Sequence, residues 1–218
     1  MERALAVLLG MPSVPVTAAG RTDAGVHALG QVCSYEGAAV RIESLNALLP
    51  DDVAALECSA AAEGFDARHD ATSRAYLYRV LARPARSALE HGRALHWSHP
   101  LRREYLHECA AALCGTHDFT AFTPTDTYHV RFERDVWHAR WRELPGDRLE
   151  FWIEADAFMR QMNRVLVGTM LEVACGRRRL ESFRCLLGGR PRSEAGPTAP
   201  AHGLYLAAVG YGKRVLDP

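Results

Sequence analysis

The sequence predicts an α+β fold, on three observations. Alternating apolar positions, such as Tyr76, Tyr78 and Val80, mark strands with one face turned to a core. Helical spacing, as in Tyr105, Leu106, Cys109 and Leu113, occurs in separate stretches. Two extended runs near 130–143 and 148–155 flank the turn Pro145-Gly146-Asp147, the signal of a hairpin rather than of a strand–helix–strand crossover. The sheet is therefore expected to be mostly antiparallel. With 218 residues, 48% of them hydrophobic, the chain can bury one sizeable core or two small ones.

The elements follow in order. Leu5, Leu8 and Leu9 place a helix over 2–10, which Gly10, Pro12 and Pro15 stop. Val14, Val16 and Ala18 alternate as a short strand into a tight loop over 20–28, and 31–35 resumes the alternation. A short helix over 42–49 ends at Pro50-Asp51-Asp52, and 53–59 reads as another strand. Residues 68–81 are extended, and 84–100 reads as a loop. Helical spacing covers 102–114 and is broken by Gly115-Thr116-His117-Asp118. After the hairpin come a long helix over 158–174, a short one over 179–187, a Gly/Pro-rich loop over 189–203 and a last strand over 204–211.

Composition narrows the function. The longest apolar runs, such as 165–167 and 206–209, are too short to span a bilayer, and the first residues lack a basic region followed by a long apolar stretch. A cytoplasmic protein is expected. None of the six cysteines forms a C-x-x-C pair, and the ten histidines show no zinc-ligand spacing with them, so no metal is expected and buried reduced thiols are the plain reading. The formal net charge is 0, which by itself argues against a polyanionic partner. Of the 26 basic residues, however, all but Lys213 are arginine, a side chain suited to bidentate phosphate contacts, although codon bias also enriches it. An RNA partner would require the charge to be segregated over the surface.

The loop Gly20-Arg21-Thr22-Asp23-Ala24-Gly25-Val26-His27 carries the most specific signal. Two glycines permit a tight backbone path, and the loop displays one carboxylate beside one guanidinium. On chemistry alone this also describes a surface turn with an Arg–Asp pair, worth little energy. His27 suits a general base, but a structural hydrogen bond is the commoner use of a histidine after such a loop. Arg164 lies in a stretch that is apolar on most sides, with Met162, Val165, Leu166, Val167, Met170, Leu171 and Val173, and a guanidinium there needs a partner. Asp23 is one candidate and a structural carboxylate another.

The loop string, continued by Ala28 and by Gly30-Gln31-Val32, resembles the active-site signature of TruA-type tRNA pseudouridine synthases. Further blocks agree in order: Leu45-Asn46-Ala47-Leu48-Leu49-Pro50, Phe65-Asp66-Ala67-Arg68 with Ser73-Arg74-Ala75-Tyr76, Gly115-Thr116-His117-Asp118-Phe119-Thr120, Phe158-Met159-Arg160-Gln161-Met162-Asn163-Arg164, and Ala199-Pro200-Ala201-His202-Gly203-Leu204. The resemblance covers essentially the whole chain. It implies Asp23 as the catalytic aspartate, Arg21 as the arginine that helps hold the flipped-out nucleotide, Tyr76 as the ring that stacks on the target uracil, and Arg164 as the cation paired with the aspartate.

These roles suit the chemistry. Pseudouridylation detaches uracil from C1′, rotates it and rejoins it through C5, so the target base must leave the stack. The carboxylate has three routes open to it: attack on C1′, addition to C6, or removal of a proton from C2′. Neighbouring cations favour its charged form.

The resemblance further implies two subdomains akin to ferredoxin-like or RNA-recognition folds, divided as 1–66 and 67–218, with a shared sheet and a cleft between them. It implies a homodimer, no metal and no organic cofactor, with tRNA uridines at nucleotides 38–40 of the anticodon stem-loop as substrate. A catalytically impaired tRNA-binding module, or a synthase for another RNA, are the rival readings. Two departures stand out. Asn163 occupies the place where the family usually has valine, and a buried asparagine there must find hydrogen-bond partners. Met1 falls near the end of the family's first helix, so an upstream segment with a first strand and a Gly-Trp-Gln-like motif is expected before it.

Overall fold

A computed structural model describes residues 1–127 and 129–216. The chain divides into two compact units: Met1–Arg21 with Gln31–Ala71, and Thr22–Gly30 with Thr72–Pro218. In chain order the elements are α1 (Glu2–Leu9), β1 (Thr17–Ala18), β2 (His27–Ala28), β3 (Cys33–Ser34), α2 (Ile42–Asn46), β4 (Ser73–Leu81), β5 (Leu95–His96), α3 (Arg103–Ala111), β6 (Gly115–Asp118), β7 (Glu133–Leu144), β8 (Arg148–Ala155), α4 (Met162–Ala174), α5 (Leu180–Leu186) and β9 (Leu204–Gly210), with short 3₁₀ turns between some of them.

The first unit holds a small core of Ala4, Leu5, Val14 and Leu45. Helix α1 stops at Gly10, whose φ of 63° is the left-handed conformation that glycine adopts at low cost. Strands β1 and β3 pair antiparallel, Thr17 opposite Ser34 and Ala18 opposite Cys33. The strand expected over 53–59 does not form. There the Asn46 side chain takes both backbone groups of Ala55, donating to its carbonyl at 2.9 Å and accepting its N–H at 2.7 Å. A side-chain carboxamide thus replaces a ladder partner, and Leu56 stays 79% exposed.

The second unit is built on a sheet ordered β2-β9-β4-β8-β7-β6, with β5 beside β4. The β4–β8, β4–β9, β6–β7 and β7–β8 pairs are antiparallel, and only β2–β9 and β4–β5 are parallel. The fold is α+β with a mostly antiparallel sheet, as the sequence predicts. The hairpin lies where Pro145-Gly146-Asp147 placed it, with Gly146 and Asp147 both at positive φ, 79° and 59°. The core faces of β4, β7 and β8 present Tyr78, Trp141, Phe151 and Ile153 to Leu106 and Cys109 of α3, Val165, Leu166 and Met170 of α4, and Phe183 of α5. Fully burying one such large apolar side chain contributes about 1.5–3 kcal/mol.

Helix α4 begins at Met162 rather than 158, because Gln161 takes a φ of 61°, a left-handed conformation uncommon outside glycine. Nearly all of α4 is buried, and its Arg164 is only partly so. Strand β6 forms over Gly115–Asp118, a stretch expected only to break a helix, and two further strands, β2 and β5, fall in stretches expected to be loop. Each of the latter two is a two-residue pairing, too short to leave an alternation in the sequence. Among the described residues no helix is long and apolar enough to cross a membrane.

Candidate active site

The loop that carries Asp23 is shaped by its own backbone. The Val26 N–H donates to the Asp23 carbonyl at 3.0 Å, closing a turn, and Gly25 supplies the φ of 82° that the turn needs at its third position. After β2 the loop is fastened to β9, where the Leu29 and Gly30 N–H groups both donate to the Leu206 carbonyl, at 2.8 and 3.3 Å. Only glycine fits at position 30, since a Cβ there would lie 2.5 Å from the Ala207 carbonyl oxygen. Asp23 is thereby mounted on the rim of the sheet.

Arg164 reaches the loop from the first turn of α4. Its Nη1 donates to Asp23 Oδ2 at 2.9 Å, and its Nε donates to the Ala199 carbonyl at 2.7 Å. The Arg164 side chain is 16% exposed and that of Asp23 34%. The cation is thus mostly desolvated while the carboxylate keeps access to solvent. Among the described residues Asp23 Oδ1 makes no hydrogen bond, so one oxygen is anchored and the other is available to a ligand.

Tyr76, on β4, is 9% exposed and meets Phe158 edge-to-face at a ring separation of 5.0 Å. Burial pushes its phenol up to about 12, with the Asp23 carboxylate adding to the rise and Arg74 opposing it. The hydroxyl therefore stays protonated at physiological pH, able to donate but not to act as a phenolate base. Tyr78, two residues on, donates to the Pro200 carbonyl at 2.8 Å, and burial raises its phenol too. Arg21 is exposed and belongs to the first unit. Of the residues singled out in the sequence, Asp23, Arg164 and Tyr76 are gathered within the second unit.

His27 has a structural place. Its Nε2 lies 3.0 Å from the Gly92 carbonyl, which can only accept, and its ring stacks on Tyr205 at 4.6 Å. Asn163 is 4% exposed, and its Oδ1 has no hydrogen-bond partner among the described residues, so the expectation that a buried asparagine would be satisfied there fails for the oxygen. Ala199 opens one of the blocks that carry the resemblance, but the sequence gives it no role, because it contributes a carbonyl, which every residue has.

The profile of a family described as tRNA pseudouridine synthase matches residues 109–212, which include Arg164 and the segment around Ala199. Curated relatives match across nearly the whole chain. A tRNA pseudouridine synthase A of Myxococcus xanthus is 40% identical over 218 residues, covering 97% of this chain and 81% of the relative. One of Thermus thermophilus is 39% identical, covering 100% and 88%, and one of Bacillus pumilus is 36% identical, covering 91% and 82%. An α+β chain matched in this way is a pseudouridine-forming isomerase. The chain belongs to the tRNA pseudouridine synthase A family.

Proposed function

We propose that this protein converts uridine to pseudouridine in tRNA, at nucleotides 38–40 of the anticodon stem-loop, with Asp23 as the reacting carboxylate. The observation that carries the reading is the 2.9 Å contact between Arg164 Nη1 and Asp23 Oδ2, which, among the described residues, leaves Oδ1 without a competing hydrogen bond. Such an arrangement suits a group that must meet a sugar or base carbon: one oxygen is held and the other is presented. On any of the three routes the N1–C1′ bond breaks, a C5–C1′ bond forms and the C5 hydrogen passes to solvent.

Tyr76 offers an aromatic ring and a neutral hydroxyl near enough to Asp23 to feel its charge, and a base stacked on an aromatic ring gains about 1–3 kcal/mol. Arg21, exposed and two residues before Asp23 in the chain, is the proposed hold on the flipped nucleotide. The protein works as a cytoplasmic homodimer of two-subdomain chains, divided near residue 66, with no metal or organic cofactor.

Tritium release from C5-labelled uridine in tRNA, run beside filter binding, tests the reading. Asp23→Asn keeps the volume and removes the charge, and Asp23→Glu moves the charge by one methylene. Misplacement by ~1 Å can cost about 10²-fold, so both variants lose most activity while tRNA binding, spread over many phosphate contacts, survives. Near wild-type turnover by Asp23→Asn would remove Asp23 from the mechanism.

A further inference from the structure

The Arg164–Asp23 contact is only as well aimed as the guanidinium itself, and that guanidinium is held from behind. Residues 196–200 run along α4 and touch it at successive points. The Gly196 N–H donates to Thr169 Oγ1 at 3.0 Å, and Thr169 Oγ1 in turn donates to the Val165 carbonyl at 2.7 Å. At Gly168 the Pro197 carbonyl lies directly on the helix, where a Cβ would come within 1.9 Å of its oxygen. The Ala199 N–H donates to the Arg164 carbonyl at 3.0 Å, and the Ala199 carbonyl accepts from Arg164 Nε at 2.7 Å. Finally the Pro200 carbonyl accepts the Tyr78 hydroxyl at 2.8 Å.

Ala199 thus grips Arg164 by both its backbone and its side chain. A guanidinium is rigid and planar, so fixing the direction of Nε fixes that of Nη1. The carbonyl of Ala199 can aim Arg164 only if the segment is pressed against α4, and two residues allow that: Gly168, by having no side chain, and Thr169, by accepting the Gly196 N–H. Thr169 is fully buried, so it acts through Arg164 and touches no substrate.

We propose that residues 196–200 are a positioning strap for the isomerisation: Thr169 and Gly168 seat it on α4, and its Ala199 carbonyl aims Arg164 at Asp23. The proposal rests on Asp23 being the reacting carboxylate. Thr169 is a positioning residue, not a catalytic one.

The test uses the full chain and three readouts: single-turnover tritium release, filter-binding Kd for tRNA, and Tm. Thr169→Val keeps the volume and leaves the Gly196 N–H without its acceptor. It lowers the single-turnover rate by at least about 10-fold, within the range expected of sub-ångström to ~1 Å misplacement, and leaves Kd unchanged. Thr169→Ser, which restores the acceptor, recovers the rate. In an Arg164→Met background Thr169→Val adds no further loss, because the residue it acts through is gone.

A wild-type rate for Thr169→Val, a parallel loss of rate and Kd, or losses that multiply in the double variant would each overturn the strap. If Thr169→Val does not fold, Thr169→Ala, which leaves room for a water at the orphaned N–H, takes its place with the same outcomes. Asp23→Asn is run alongside. A dead Asp23→Asn beside a fully active Thr169→Val sinks the strap alone, and an active Asp23→Asn removes the site and the strap together.

Discussion

Asp23 and Arg164 lie 141 residues apart in the chain and meet at 2.9 Å. A partly solvated ion pair adds little to stability, since screening and side-chain entropy offset the attraction. Its value lies in geometry: the same guanidinium bonds the Ala199 carbonyl through Nε, so Arg164 is a bracket between a backbone segment and a side-chain oxygen.

That bracket predicts a poor outcome for the conservative change Arg164→Lys. One ammonium on a flexible stem cannot serve both acceptors in the fixed fork of a guanidinium. Single-turnover tritium release should fall about 10²-fold while folding is retained by circular dichroism. A lysine variant with the wild-type rate would show that charge alone suffices.

Tyr76 predicts a change in stability with alkaline pH. Its phenol is pushed from 10.0 to about 12, so folding favours the neutral form. The associated stability is fully present below pH 10 and is lost as pH rises to about 12, an effect of about 2–3 kcal/mol. Tyr78 acts in the same direction. Urea unfolding across this range should show the decline, and Tyr76→Phe should make it shallower. An unchanged slope in the phenylalanine variant would rule out the buried Tyr76 phenol as a contributor.

Gly30 fastens the Asp23 loop to β9. In Gly30→Ala the new methyl would stand 2.5 Å from the Ala207 carbonyl oxygen, so the backbone must move. Overpacking of this kind costs about 1–3 kcal/mol, and the displaced loop carries Asp23 with it. Both Tm and turnover should drop, turnover by the larger factor. An alanine variant with unaltered turnover would mean that the β9 anchor is dispensable.

Asn163 predicts a stabilising substitution. Its Oδ1 is buried without a partner among the described residues, a condition that costs about 1–3 kcal/mol. Asn163→Val removes the orphaned oxygen at similar volume. Thermal unfolding should move up by a few degrees, about 2–4 °C per kcal/mol for a chain of this size. A lower Tm would mean that the carboxamide nitrogen earns more than the oxygen loses.

Much of this was legible in the sequence, for identifiable reasons. Arg164 announced itself as a cation in an apolar helix, and burial obliges such a group to find a partner. The hairpin at 145–147 was legible because its turn needs residues tolerant of positive φ. The pairings of β2 and β5 were not, because two residues leave no period to detect. The stretch 53–59 has the composition of a strand, yet Asn46 reaches Ala55 from nine positions away and takes its hydrogen bonds. Gly168 carries no signal in the sequence of what lies against it. Only the structure reveals the Pro197 carbonyl resting on it.

The position of β9 carries a consequence for biosynthesis. Residues 204–210 are inserted between β2 and β4, so the parallel neighbour of β2 is translated some 175 residues after it. Until that strand leaves the ribosome, the Leu206 carbonyl that fastens Leu29 and Gly30 is absent, and so is the Ala199 carbonyl that grips Arg164 a few residues earlier. In a nascent chain stalled before this point the helices α1–α5 are already translated, but the two carbonyls that fix the Asp23 loop and Arg164 are not. The Asp23 loop and Arg164 therefore gain these fixed partners late, from the Ala199 and Leu206 carbonyls, and not gradually as the polypeptide grows.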